Sequence, residues 1–330
     1  MAPRFTAVQL DTLATLSTAP ALQELSDADQ LSFAAAVELA QAALRAVEAT
    51  PAAAAAWLDL ASAVVLTAAA ATGSTEPAAT AWIAYAAARQ ATVHGDLSAA
   101  TAQLLLARAH WQQAGDGLMV ARSGLGLTQV LTQQGRYAEA ESTIRTALDQ
   151  LDALGEPAAL QAIAARQNLA TLLSYQERHA DALAVSTAAR RALAALLEVA
   201  PAAERDDLVV RLARTDLAIA LAQTHLDDPA AAEATLRGIG AALDATDHAL
   251  ERGRAAANLG HLLARTGRYA AALTAFDQAT LDFLGTADVD AAGLSARAAD
   301  LGGHPAGQGF PCRGRRAHRL PVDSGHRRRR

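Results

Sequence analysis

The sequence predicts an all-α protein, an α-solenoid of stacked antiparallel helix pairs. Three observations carry this. Gly135-Arg136-Tyr137-Ala138-Glu139-Ala140 returns as Gly267-Arg268-Tyr269-Ala270-Ala271-Ala272, and Glu177-Arg178-His179-Ala180-Asp181-Ala182 lies between them as a weaker copy. Recurrence at a few tens of residues marks repeated helical units, each burying its apolar face only against its neighbours. The composition agrees: 52% hydrophobic, 4% aromatic, and roughly a quarter Ala, the strongest intrinsic helix former. No long alternating Val/Ile/Thr/Tyr run argues for strands.

From the N-terminus, residues 1–50 read as a helical segment capping the array. Ser26-Asp27-Ala28-Asp29 offers a helix start, with Asp at the positive end of the dipole. A helix over residues 31–47 follows, and Thr50-Pro51 ends it. Trp57, Leu60, Ala61 and Val64 then begin the repeats, which extend over residues 51–302. Turns are expected at Gly95-Asp96-Leu97, Gly135, Glu177, Asp227-Asp228-Pro229 and Gly267. Behind each turn a small residue, Ala100, Ala140, Ala182, Ala232 or Ala272, should let the two helices of a pair cross closely. These alanines are 40, 42, 50 and 40 residues apart.

The spacing of Pro51, Trp57, Leu60 and Ala61, and the pattern Leu259-Gly260, Gly267, Tyr269, Ala272, Phe276 and Ala279, resemble tetratricopeptide repeats (TPRs). The copy Leu127, Thr128, Leu131, Gly135, Tyr137, Ala140, Ile144 and Ala147 has the same offsets, and Leu169, Ala170, Leu173, His179, Ala182 and Ala189 follow them in part. A period near 42 resembles the repeats of kinesin light chains and of bacterial TPR regulators. The resemblance implies a right-handed superhelix whose first helices line a concave groove. It assigns Tyr137, Tyr269, Trp57 and Trp82 to packing.

Charge is uneven. All 28 basic side chains are Arg, which suits a high-GC bacterial gene, and eight of them follow Gly303 with one acid. The rest of the chain therefore has a net charge of about −13. An acidic body argues against nucleic acid, whose binding needs clustered Lys or Arg. It favours basic or neutral partners. The segment 303–330 has no helical period. It reads as a basic disordered tail, a functional basic arm, or the frameshifted remnant of a further repeat. Read one base later, the codons of 308–314 permit Lys-Gly-Phe-Pro-Ala-Glu-Ala, whose Gly would fall 42 residues after Gly267. An array ending without a cap would favour self-association.

A single Cys, Cys312, excludes an internal disulfide. No signal peptide is evident at the N-terminus, and no window reaches 18 strongly apolar residues, so a cytoplasmic protein with no membrane association is expected. Residues 64–71 read as part of a buried helix.

The search for chemistry returns nothing that makes an enzyme. A phosphate-binding loop is impossible without Lys. Gly124 and Gly126 read as helix packing. The histidines lack metal-ligand spacing. No cofactor and no metal are expected. What remains is the groove. Asn168 and Asn258 occupy equivalent places before Leu169-Ala170 and Leu259-Gly260, and similar repeats put Asn there to bond an extended peptide backbone. An amide suits that task because it donates and accepts at once. Helical spacing puts Thr171 and His261 on the same face. Gln167, Gln129, Arg122, Arg214, Arg254 and Arg89 are further groove candidates. The expected function is a non-enzymatic scaffold or adaptor that binds a peptide or helix of an unidentified protein. The alternative is a sensor module responding to a peptide or small ligand and acting through a separate output protein.

Overall fold

The computed structural model describes residues 5–243 and 248–285; no strand occurs among them. Helices α1 (Ala7–Thr15), α2 (Thr18–Asp27), α3 (Phe33–Ala46) and α4 (Pro51–Thr72) come first. Five pairs follow: α5 (Pro77–Val93) with α6 (Leu97–Ala114), α7 (Gly117–Gln133) with α8 (Tyr137–Leu154), α9 (Ala159–Tyr175) with α10 (His179–Val199), α11 (Ala202–His225) with α12 (Pro229–Leu243), and α13 (Ala249–Arg265) with α14 (Tyr269–Leu284). Each pair packs on the next, mainly through its second helix. The molecule is an all-α solenoid.

The five predicted turns share one geometry. Gly95, Gly135, Glu177, Asp227 and Gly267 all take left-handed backbone, with φ between 58 and 80°. The next amide then reaches back to a carbonyl in the last turn of the first helix: Asp96 to Ala91, Arg136 to Leu131, Arg178 to Leu173, Asp228 to Gln223 and Arg268 to Leu263, all 2.9–3.0 Å. This is the bond that closes a helix on a left-handed residue. At Glu177, as at Asp227, a side chain sits where three copies use glycine, and left-handed backbone costs an L-residue about 1–2 kcal/mol. A Cβ at Gly135 or Gly267 would meet nothing within 4 Å, so the penalty is purely one of backbone. Glu177→Gly is therefore expected to stabilise the protein by about 0.5–1 kcal/mol, less than the full strain because glycine is the more flexible residue when unfolded. An unchanged or lower urea midpoint would refute this.

Behind the turns, Ala100, Ala140, Ala182, Ala232 and Ala272 are at most 3% exposed. Twelve residues before each of them stands a second buried small residue, on the first helix: Ala88, Thr128, Ala170, Ala220 or Gly260. Gly124 and Gly126 also pack closely, as expected: a Cβ at these sites would come within 3.1 Å of Ala147 and 3.0 Å of Leu104. The core forms between pairs. Ile144, Leu151, Leu173 and Leu193 are fully buried along it.

The long spacing between Ala182 and Ala232 is taken up by helix length. α10 has 21 residues and α11 has 24, against 17 in α5, α7, α9 and α13. The extra turns lie where α10 ends and α11 begins. Ile163, Ala189, Leu193 and Leu208 form a cluster there with Leu196, Leu197 and Leu212.

The N-terminal part differs from expectation. Residues Ser26-Asp27-Ala28-Asp29 start no helix: α2 ends there, and Asp29 takes a left-handed φ of 54°. The cap of α3 is Ser32, whose hydroxyl accepts the Ala35 amide at 3.2 Å. Pro51 does open a helix, but α4 packs chiefly on α3, and Trp57 donates to the Leu10 carbonyl at 2.9 Å. Trp57 thus shares a core with Phe5, Leu13, Leu25 and Leu39, across residue 50.

The expectation that no long apolar window exists is also corrected. α4 has 22 residues and a mean hydropathy of 1.7, long and apolar enough by length and composition to cross a membrane. Its run of alanines raises the hydropathy while presenting little apolar surface, and its large side chains Trp57, Leu60 and Val64 are buried in the core. The proposed tail at 303–330, the repeat remnant within it and the end of the array lie outside the described residues.

Candidate peptide groove

Each first helix buries most of its circumference and leaves one stripe to solvent. Counting from the buried small residue, that stripe contains positions six and two residues before it and one and five residues after it, as helical spacing requires, except that Ala86 of α5 at the second of these is buried. Four of the expected groove residues, Arg89, Gln129, Thr171 and His261, occupy the same place one residue after it, each on a successive pair except that α11 contributes Leu221. Leu221 is 46% exposed and was not anticipated. Arg122, Arg214 and Arg254 share the place six residues before, with Trp82 and Ala164 completing the row. Asn168 is exposed and Asn258 half-buried in the row between. Neither amide has a hydrogen-bond partner among the described residues.

The rest differ in how they are held. Gln167 leaves the stripe: its amide donates to the Thr215 hydroxyl at 2.7 Å, tying α9 to α11. Thr171 returns its hydroxyl to the Gln167 carbonyl at 3.0 Å. Arg89 is ion-paired with Glu48. The Arg122 guanidinium lies 3.6 Å from the Met119 sulfur, with no carboxylate on it. Glu251 on α13, with its side chain only 5% exposed, accepts two bonds from Arg214 at 2.8 and 3.0 Å and lies 3.8 Å from Arg254. This joins α11 to α13 across the groove floor. His261 is exposed at its rim, yet its ring lies edge-on against Phe276 at 5.0 Å, and that burial lowers its pKa below the usual 6.5.

A feature absent from the sequence reading runs along the turn edge. Tyr137 stacks on Tyr175 at 6.4 Å, and His179 stacks on His225 at 4.2 Å with rings 8° from parallel. Both stacks join the residue three before a contact alanine to the residue seven before the next one. The signal was present in the register but required comparing two positions of different repeats. Burial first, then the charges of His179 and Arg265, lower the His225 pKa. The His179 Nδ1 atom is buried without a partner.

The same comparison corrects Tyr269. Expected to pack, it is 60% exposed and has no stacking partner among the described residues. Trp82 does pack, edge-on to Trp111 at 5.4 Å.

Outside the stripe, arginines at the turns bind the preceding second helix. Arg178 reaches Glu141 at 2.8 Å and Arg268 reaches Glu233 at 2.6 Å. Glu141 is held below the usual carboxylate range first by Arg145 and also by Arg178, and Glu233 first by Arg237 and then by Arg268. Both pairs are solvent-exposed, so they add register more than stability. Among the described residues no three His, Cys, Asp or Glu side chains assemble into a metal site.

No protein-family model matches the chain, and no curated protein matches it. Solved structures do. The apo form of RapI superposes with a TM-score of 0.64 at 13% identity, over 89% of this chain and 77% of that one. A Rap protein complexed with Competence and Sporulation Factor gives 0.52 at 13% identity, over 90% and 86%. A putative kinesin light chain from Podosopora anserina with nearly identical TPR-like repeats gives 0.51 at 14% identity, over 61% and 92%. The chain therefore has a TPR-type repeat fold.

Proposed function

We propose that the array is a non-enzymatic scaffold that holds an extended peptide, or a helix of a partner protein, along the stripe of its first helices. The observation that carries this is the pair of unengaged amides, Asn168 and Asn258, at equivalent positions two pairs apart on a solvent-facing stripe. An amide that is left without an intramolecular partner can both donate to and accept from a peptide backbone. A repeat array offers such groups at regular intervals along an extended ligand. The similarity to a Rap protein complexed with Competence and Sporulation Factor supports the reading at the level of fold.

The test is selection of a displayed library of random twelve-residue peptides on the full chain, beside Asn168→Ala/Asn258→Ala. Enriched peptides should bind the double variant about tenfold more weakly, while its helical circular dichroism is unchanged. Equal affinity for both proteins would move binding away from the stripe.

A sensor reading is favoured by one feature. The links Gln167–Thr215 and Arg214–Glu251 join successive first helices, so a ligand that competes for them would alter curvature. A sensor then changes its radius of gyration on binding the selected peptide, measured by small-angle scattering; a plain scaffold does not.

A further inference from the structure

The net charge of the chain misrepresents its groove. At the four stripe positions of the five first helices, the charged residues are Arg89, Arg122, Arg214, Arg254 and Arg265, with no carboxylate among them. One turn nearer the helix starts, Glu251 is the acid of α13, and Arg214 and Arg254 already occupy it. On α11 the corresponding turn adds Arg211, bonded to Asp207 at 2.6 Å. Glu48 takes up Arg89. Arg122 on α7 and Arg265 at the end of α13 remain without any carboxylate partner among the described residues. The histidines of the stripe, His225 and His261, are both pushed below the usual 6.5, chiefly by burial, which disfavours their charged forms.

We propose that the groove takes an acidic segment, an extended peptide rich in Asp and Glu. The inference rests on the peptide reading above and reverses the expectation of basic or neutral partners. A guanidinium fork binds a carboxylate through two parallel hydrogen bonds. Arg122 and Arg265 supply forks with no internal competitor. Asn168 and Asn258 between them would hold the backbone, and exposed Leu221 gives one apolar contact. This sparse spacing suits a peptide with carboxylates set apart. Nucleic acid, with a phosphate on every residue of each strand, calls for a denser basic track. Away from the stripe, residues 1–302, net about −13, repel acidic chains; the eight Arg of 303–330 also attract them, and substitution of Arg122 and Arg265 separates the two sites because it leaves that segment intact.

The library selection tests this with three further arms. Peptides enriched on the full chain should be richer in Asp and Glu than the input. Their affinity should drop about tenfold in Arg122→Gln/Arg265→Gln and fall with added salt, while Arg191→Gln, on the second helix α10, leaves it unchanged. Enrichment of neutral or basic peptides would overturn the acidic inference and leave the peptide reading standing. So would an equal loss in Arg191→Gln, which would reduce the effect to net charge. A labelled twenty-nucleotide single strand binding as tightly as the selected peptides, and losing it in the same Arg pair, would also overturn it in favour of nucleic acid. Enrichment of no peptide at all would sink both readings.

Discussion

Ile144→Ala is expected to lower the unfolding free energy by about 2–5 kcal/mol, read from urea denaturation followed by circular dichroism. Ile144 has no exposed surface and belongs to one cluster with Leu104, Leu127, Leu131, Leu169, Leu172 and Leu173. Those residues come from α6, α7 and α9, so a single side chain on α8 fills space shared by three consecutive pairs. Collapse around the cavity is opposed by Ala140 and Ala147, one turn to either side, which already hold α8 at close range. Because units of a linear array meet only their neighbours, the damage should be greatest in the pairs formed by α5 to α10 and fade toward α13. Amide exchange by segment would reveal that gradient. The matched control is Leu281→Ala on α14, where the side chain is 65% exposed. That change should stay within about 0.5 kcal/mol. Equal losses in the two variants would refute the account.

Gly260→Val is expected to cost about 1–3 kcal/mol through overpacking. A Cβ at this position would lie 2.7 Å from Cε1 and 2.8 Å from Cδ1 of Phe276, whose ring is 4% exposed and pressed edge-on by His261. The ring has no free direction in which to yield, so α14 must move off α13. Replacing glycine removes its helix penalty, worth about 1 kcal/mol, but a β-branched side chain gives part of that back. Phe276→Leu should restore stability to Gly260→Val by more than it costs the native chain. A double-mutant cycle with no coupling would show that the two sites do not meet as described.

Much of the repeat architecture could be read from residues under single-position constraints. Gly135 and Gly267 mark left-handed turns, and alanines such as Ala140 and Ala272 mark close crossings, because few side chains satisfy either demand. Glu177 and Asp227 were legible only because their neighbours kept the register. The N-terminal pair was harder. α3 and α4 meet around Val47 and Thr50 without a glycine turn, so Pro51 looked like the start of a new unit. Groove positions followed from helical periodicity, but the state of each side chain did not. Gln167 is diverted to Thr215 and Arg214 to Glu251, pairings that depend on how α9, α11 and α13 are spaced. Four of the five stripe arginines were among the expected groove residues, but the sign of the stripe's charge stayed hidden for a related reason: net charge sums over all faces, and only the register separates them.

The lengthened ends of α10 and α11 give the array a place for additions. Val199 is 80% exposed, and only Ala200 and Pro201 separate it from α11. The extra turns are braced by their own leucine cluster, at the end of the pair remote from the turns at Glu177 and Asp227. Sequence grafted between Val199 and Ala202 would leave the stripe from Arg89 to Arg265 uninterrupted. The fold thereby separates a module that can be lengthened or decorated from the register that positions a ligand.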